Sequence, residues 1–144
     1  MNSLLNSYPT QIRVGFLHFP LDSSCHRQIT RAMHPFACQL ARGAVCADKQ
    51  GRFKPYYETV FEAQESINGD TALKALEIAG VPADTAKACL DSDEAKKVVS
   101  AQIEFGITQK VESTPTFFIN GKRVDGAYPL DVWKGMIEKE LARK

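Results

Sequence analysis

The chain has 144 residues, 44% of them hydrophobic and 24% charged, and a formal net charge of +1. That is the size and composition of one ordinary soluble domain, which excludes wholesale disorder, a collagen-like chain and a membrane bundle. The near-neutral charge argues against a polyanion binder, although residues 1–54 carry seven Lys/Arg against two acids, together with all three histidines. No basic run exceeds two residues and no aromatic–basic motif appears, so no nucleic-acid partner is expected.

In chain order, the opening MNSLLNSYPT lacks the basic first segment and the apolar stretch of roughly 7–15 residues that make a secretion signal. Nor do about 18 apolar residues run together anywhere, so no membrane-spanning helix is expected. Gln11 to His18 reads as a strand, because Ile12, Val14 and Phe16 alternate with Arg13, Gly15 and Leu17 before Pro20 closes the run. From Leu21 to about Ile107 the pattern is helical in short pieces. Pro35 fits the first turn of a helix to about Asp48, with Phe36, Leu40, Ala44 and Val45 inward. Pro55 fits the start of another through Tyr57, Val60 and Phe61. Asn68-Gly69-Asp70, then Gly80 and Pro82, punctuate two further short helices. Ser92 or Asp93 caps a longer one whose apolar face is Val98, Val99, Ile103 and Ile107.

The periodicity changes after Val111. Pro115 to Ile119 reads as a strand, Asn120-Gly121 as a two-residue hairpin turn, and Lys122 to Val124 as the beginning of the return strand, which Gly126 ends. Pro129 opens a last amphipathic helix with Leu130, Trp133, Ile137 and Leu141 on one stripe. The order of strand, helical block, hairpin and helix predicts a small α/β sheet with a helical insertion.

That order, with Val111-Glu-Ser-Thr-Pro-Thr-Phe-Phe-Ile-Asn-Gly-Lys122, resembles the C-terminal half of a thioredoxin fold, and more narrowly the DsbA-like thiol-disulfide oxidoreductases. Ile12 to Asp22 is similar to that family's second core strand and the Pro-Leu after it. Cys25, His34, Ala37-Cys38 and Cys46-Ala47 are similar to the helical block of a branch that includes domains fused to vitamin K epoxide reductases. The resemblance covers residues 4–143. It implies one DsbA-like domain over residues 1–144, interrupted by a helical insertion at 21–107.

The family's chemistry needs a Cys-x-x-Cys at a helix N-terminus, where the dipole favours the thiolate. This sequence contains none. The resemblance therefore implies a chain lacking the first core strand and the Cys-x-x-Cys turn, with Asn2 to Ser7 as the tail of the first core helix, so that neighbouring strand edges are left open to self-association. It also implies that Thr114-Pro115 is a cis-proline segment at which an extended protein or peptide substrate pairs with the backbone. No residue of this chain is expected to be catalytic, and no cofactor is expected. The parent protein is expected to act in the periplasm or another extracytoplasmic compartment.

The four cysteines read separately from the resemblance. Cys38 and Cys46 lie eight apart in one predicted helix, about 12 Å between Cα atoms, whereas a disulfide needs less than about 7 Å. Cys25 precedes that helix and can fold back, so a structural disulfide Cys25–Cys38 is preferred, with Cys25–Cys46 behind it and four buried thiols as the remaining option. Cys89 reads as a packed helix residue. Cys25, His26, His34 and Cys38 together also raise a structural metal domain, against which the adjacent Cys25-His26 spacing and the role of His34 as a cap before Pro35 both count. The other alternative is a non-catalytic module that holds peptides beside Pro115.

Overall fold

The computed structural model describes residues 1–31 and 33–143. In chain order the elements are α1 (Asn2–Ser7), α2 (Ala37–Lys49), α3 (Phe53–Glu62), α4 (Thr71–Ile78), α5 (Ala83–Asp91), α6 (Asp93–Thr108), β1 (Thr116–Ile119), β2 (Lys122–Asp125) and α7 (Leu130–Leu141). They fall into two compact units: Leu17–Gln109, and Met1–Phe16 together with the chain from Lys110 onward.

The unit of residues 17–109 is helical, and its interior is made largely of small side chains. Ala41, Ala44 and Ala47 of α2 meet Ala72 and Ala75 of α4 and Ala86 of α5, with Tyr56, Leu76, Val99 and Ile103 filling the remaining volume. Small residues let helix backbones approach closely, so five short helices bury a common core that none could bury alone. Local chemistry sets the ends of these helices. The Ser92 hydroxyl accepts the Ala95 N–H at 3.2 Å, and Asp93 and Glu94 occupy the first turn of α6, where the helix dipole favours acids. At the end of α4, Gly80 takes φ +91°, so that its N–H reaches the Glu77 carbonyl and the Val81 N–H the Leu76 carbonyl. That paired arrangement satisfies two orphan carbonyls and turns the buried Val81 inward.

The start of α2 departs from the sequence expectation. Phe36, not Pro35 or His34, is the residue before the helix; it takes φ +69° and is 41% exposed instead of pointing inward. The chain reaches it through a loop in which the Met33 and His34 N–H groups both donate to the Leu21 carbonyl. No side chain at the N-cap position caps α2. The buried Asp22 carboxylate does so from sixteen residues away, accepting the Cys38 N–H at 3.2 Å and the Ser24 N–H at 2.9 Å.

In the other unit, β1 and β2 pair antiparallel with Phe117 opposite Val124 and Ile119 opposite Lys122. The turn between them needs two consecutive residues in the left-handed region, which Asn120 (φ +49°) and Gly121 (φ +83°) supply. Leu4 and Tyr8 bury against Ile137 of α7, flanked by Ile12, Trp133 and Leu141. The Tyr8 hydroxyl donates to Glu138 at 2.9 Å.

The strand expected at Gln11–His18 is not formed. Among the described residues the sheet has only β1 and β2, and residues 12–20 have no regular structure. A strand is defined by its neighbour, and among the described residues no strand lies alongside this segment in a sheet. The alternation survives as half-buried Ile12 and Val14, then fails at Phe16, which is 40% exposed although it shares their face. The architecture is therefore a mostly helical one with a small two-stranded sheet.

Candidate functional site

In the sheet-bearing unit, the loop between Lys110 and β1 holds Thr114 and Pro115, and the peptide bond joining them is cis. The loop is tied down at both flanks. The Pro115 carbonyl accepts the Gly126 N–H at 2.9 Å. The Thr116 hydroxyl lies 2.7 Å from the Ser113 carbonyl and 3.1 Å from Asp125 Oδ1. Arg123 Nε donates to both Asp125 oxygens, at 2.8 and 3.0 Å, while another guanidinium nitrogen donates to the carbonyl of Lys110, itself at φ +56°. The Arg123 bond holds the Asp125 carboxyl below its usual value. Amid this anchoring the Thr114 backbone N–H and carbonyl take no hydrogen bond among the described residues, and Thr114 and Pro115 are both exposed. A rigid, exposed segment with an unpaired peptide group can accept one backbone pairing from an extended chain.

In the helical unit all four cysteines are oxidised. Cys25 joins Cys38 with Cα atoms 6.0 Å apart, and Cys46 joins Cys89 at 5.9 Å. Both separations fit ordinary disulfide geometry. The pairing of Cys46 overturns the second option, Cys25–Cys46, and removes the reading of Cys89 as a packed thiol. The bridge from Cys25 to Cys38 also removes the metal alternative, because it leaves no thiolate for a cation and the remaining imidazoles stand apart in role. His26 is 1% exposed with its ring edge-on to Phe19 at 4.5 Å, and His34 is exposed.

Beside the Cys25–Cys38 bridge lies a surface pocket lined by both cysteines with Arg42, Lys96, Val99 and Ser100. Arg42 Nε is buried and has no hydrogen-bond partner among the described residues. Burial would raise the Asp22 carboxyl. The N–H groups of Ser24 and Cys38, the Ser24 hydroxyl and the Arg42 charge together outweigh it and hold that carboxyl below its usual value. Asp22 and Arg42 carried no local sequence signal, since a cap sixteen residues away and a pocket cation are set by tertiary contacts. Cys89 carried one, an apolar helix face shared with Ala86 and Leu90, but not the identity of its partner.

Three comparisons bear on this geometry. The chain is 24% identical over 142 residues to the Na(+)/H(+) antiporter NhaA 3 of Salinispora tropica, covering 99% of this chain and 20% of that protein. It is 28% identical over 95 residues to the Na(+)/H(+) antiporter NhaA of Herminiimonas arsenicoxydans, covering 66% of this chain and 15% of that one. The chain thus spans a fifth or less of the length of these curated relatives. In fold it matches a Proteus mirabilis DsbA solved with a non-covalently bound peptide, at a TM-score of 0.62 and 15% identity over 93% of this chain and 94% of that one. That likeness fixes the architecture as a DsbA-like thioredoxin fold. The family model described as Thioredoxin matches residues 27–139, so the chain belongs to that thioredoxin family.

Proposed function

We propose that this chain is the peptide-holding part of a DsbA-like protein thiol-disulfide oxidoreductase, with Thr114 and Pro115 as the contact for an extended substrate. The observation that carries this reading is the anchored, exposed Thr114–Pro115 segment with its unpaired Thr114 peptide group. Disulfide exchange with that substrate falls to a Cys-x-x-Cys, which this sequence lacks, so the chain alone is inactive towards a disulfide held there. Two disulfides support an oxidising, extracytoplasmic compartment. The helical-block residues Cys25, His34, Cys38 and Cys46 support placement in the branch similar to domains fused to vitamin K epoxide reductases. The open edge of the two-stranded sheet supports self-association as a further property of the isolated chain.

The test is binding of a fluorescent seven-residue peptide with an alkylated central cysteine, read by anisotropy. The chain binds it weakly, and Pro115→Ala loses at least about five-fold in affinity, corresponding to about 1 kcal/mol. Equal binding by both proteins overturns the reading. A non-catalytic peptide-binding module gives the same binding result, and the full-length protein separates the two: insulin reduction above the glutathione background belongs to the oxidoreductase alone.

A second reading is favoured by the match of 99% of this chain to a Na(+)/H(+) antiporter. In it the chain is the thioredoxin-like portion of a much longer ion-exchange protein. An antibody against this chain then detects, in its own cells, a species several times longer that stays with the membrane fraction. A short soluble species counts against it.

A further inference from the structure

The two disulfides sit in opposite electrostatic settings. Cys38 is the second residue of the thirteen-residue α2, inside its first turn at the positive end of the helix dipole. Arg42 follows one turn later, and Arg42, Lys96 and Ser100 line the pocket onto which the Cys25–Cys38 bridge opens. Asp22 and Asp93 are the opposing charges: the Asp22 carboxylate accepts the Cys38 N–H and Arg42 offsets it, while Asp93 Oδ1 lies 3.9 Å from Lys96 Nζ. Cys25 is half-buried, while Cys38 is 2% exposed. The Cys46–Cys89 bridge has neither feature. Cys46 lies deep in α2 and is buried in the core, and Cys89 lies in the last turn of α5, the negative end of its dipole, two residues before Asp91.

We propose that Cys25–Cys38 is an exchangeable disulfide that accepts electrons from an external dithiol, with Cys25 as the attacked sulfur and Cys38 as the leaving thiolate stabilised by the α2 N-terminus, Arg42 and Lys96. This site belongs to the other unit from the Thr114 segment and does not rest on the peptide-holding reading. One thiolate of the dithiol attacks Cys25 Sγ, a reagent–Cys25 disulfide forms, the Cys25–Cys38 bond breaks, and its electron pair leaves on Cys38 Sγ. The second thiolate of the reagent then attacks the reagent sulfur of that mixed disulfide and releases Cys25 as thiolate. The dithiol ends as a disulfide, Cys25 and Cys38 end reduced, and the two protons of the dithiol are taken up by them. A thiolate leaves faster the lower its pKa, and cations beside it lower that pKa.

The experiment treats the native chain with graded dithiothreitol, quenches in acid, blocks thiols with N-ethylmaleimide and maps both bridges by peptide mass. Cys25–Cys38 opens at least about ten-fold faster than Cys46–Cys89 while the far-UV circular dichroism stays unchanged, and oxidised glutathione restores it. Arg42→Gln slows the opening at least about three-fold, Arg42→Lys keeps it, and Lys96→Gln gives a smaller loss that raised salt abolishes. Simultaneous opening of both bridges, prior opening of Cys46–Cys89, or opening that is indifferent to both Arg42→Gln and Lys96→Gln overturns the proposal.

Discussion

The ring of Tyr56 occupies the place where residue 43 would carry a side chain. A β-carbon built on Gly43 lies 2.1 Å from the Tyr56 oxygen and 2.7 Å from Cζ, while that hydroxyl donates to the Leu40 carbonyl at 2.8 Å. Tyr56 cannot swing aside, because it is 2% exposed and packed among the α2 and α4 alanines. Gly43→Ala gains a little helix propensity, but overpacking costs about 1–3 kcal/mol and wins. The expected result is a urea midpoint shifted down with an unchanged m-value. Tyr56→Phe removes the hydroxyl and costs about 1 kcal/mol, yet it does not rescue Gly43→Ala fully, since the ring carbon remains too close. Full additivity of the two substitutions, or full rescue, contradicts this packing.

The two disulfides close loops of different length, with sequence separations of 13 for Cys25–Cys38 and 43 for Cys46–Cys89. Loop-closure entropy assigns about 3 kcal/mol to the first and about 4 kcal/mol to the second. The double substitution Cys46→Ala/Cys89→Ala also leaves a cavity in the small-residue core, whereas Cys25→Ala/Cys38→Ala opens onto a surface pocket. Guanidinium unfolding therefore shows the larger loss for the Cys46/Cys89 pair. A larger loss for the Cys25/Cys38 pair would reverse the assignment of the core staple.

Acidification is expected to weaken the helical unit through its histidines. Burial lowers the His26 imidazole, against the pull of Glu104 and with a small push from Arg27; burial lowers His18 too, against Asp48. In the unfolded chain both titrate near the ordinary value of about 6.5, so below that pH the unfolded state binds more protons. Their neutral-state contribution is complete above pH ~6.5 and is lost as pH falls from there towards the lower native values. Urea midpoints measured at constant ionic strength should drop between pH 7.5 and 5.5, and His26→Gln should flatten that drop. A midpoint that rises on acidification, or an unchanged slope in His26→Gln, would show that His26 is not held neutral in the fold.

How much of this was legible in sequence depends on the range of the force that decides each feature. The Asn120-Gly121 turn and the Ser92 cap are settled within four residues by backbone sterics and one hydroxyl; the turn stands where the sequence put it, and the cap is the first of the two residues, Ser92 and Asp93, that the sequence left open. The amphipathic stripe of Ile103 and Val99 likewise reports its own burial. Gln11–His18 failed because alternation states only that one face is apolar; the ladder that makes a strand comes from another segment. Phe36 failed because its φ of +69° is imposed by the loop that hangs from the Leu21 carbonyl, not by the helix it precedes. The Cys46–Cys89 pairing is decided by how α2 and α5 pack, over 43 residues of chain. At the site, Thr114 and Pro115 were visible as a motif, whereas the residues that hold them, Arg123 and Asp125, read only as a charged return strand.

Those two residues give the last prediction. Arg123 links three points of the loop: Asp125 on its own strand, through Asp125 the Thr116 hydroxyl, and the Lys110 carbonyl at the loop entrance. Removing the guanidinium leaves the loop covalently intact but no longer pinned at its start, so a bound peptide must supply the ordering that Arg123 supplies in advance. That ordering amounts to about 0.5–1.5 kcal/mol, or a loss of about 2- to 10-fold in peptide affinity. Arg123→Met is expected to show this loss with little change in unfolding midpoint, because the pair is surface-exposed and contributes little to stability. Asp125→Asn keeps an acceptor for both partners and should fall in between. Lys122→Met, whose partner is Glu140 of α7, serves as the control and leaves affinity unchanged. Anisotropy titrations of the alkylated-cysteine peptide decide it: if Arg123→Met binds as tightly as the parent chain, the Arg123–Asp125 pair does not position the loop, and Thr114 is held by the strand register alone.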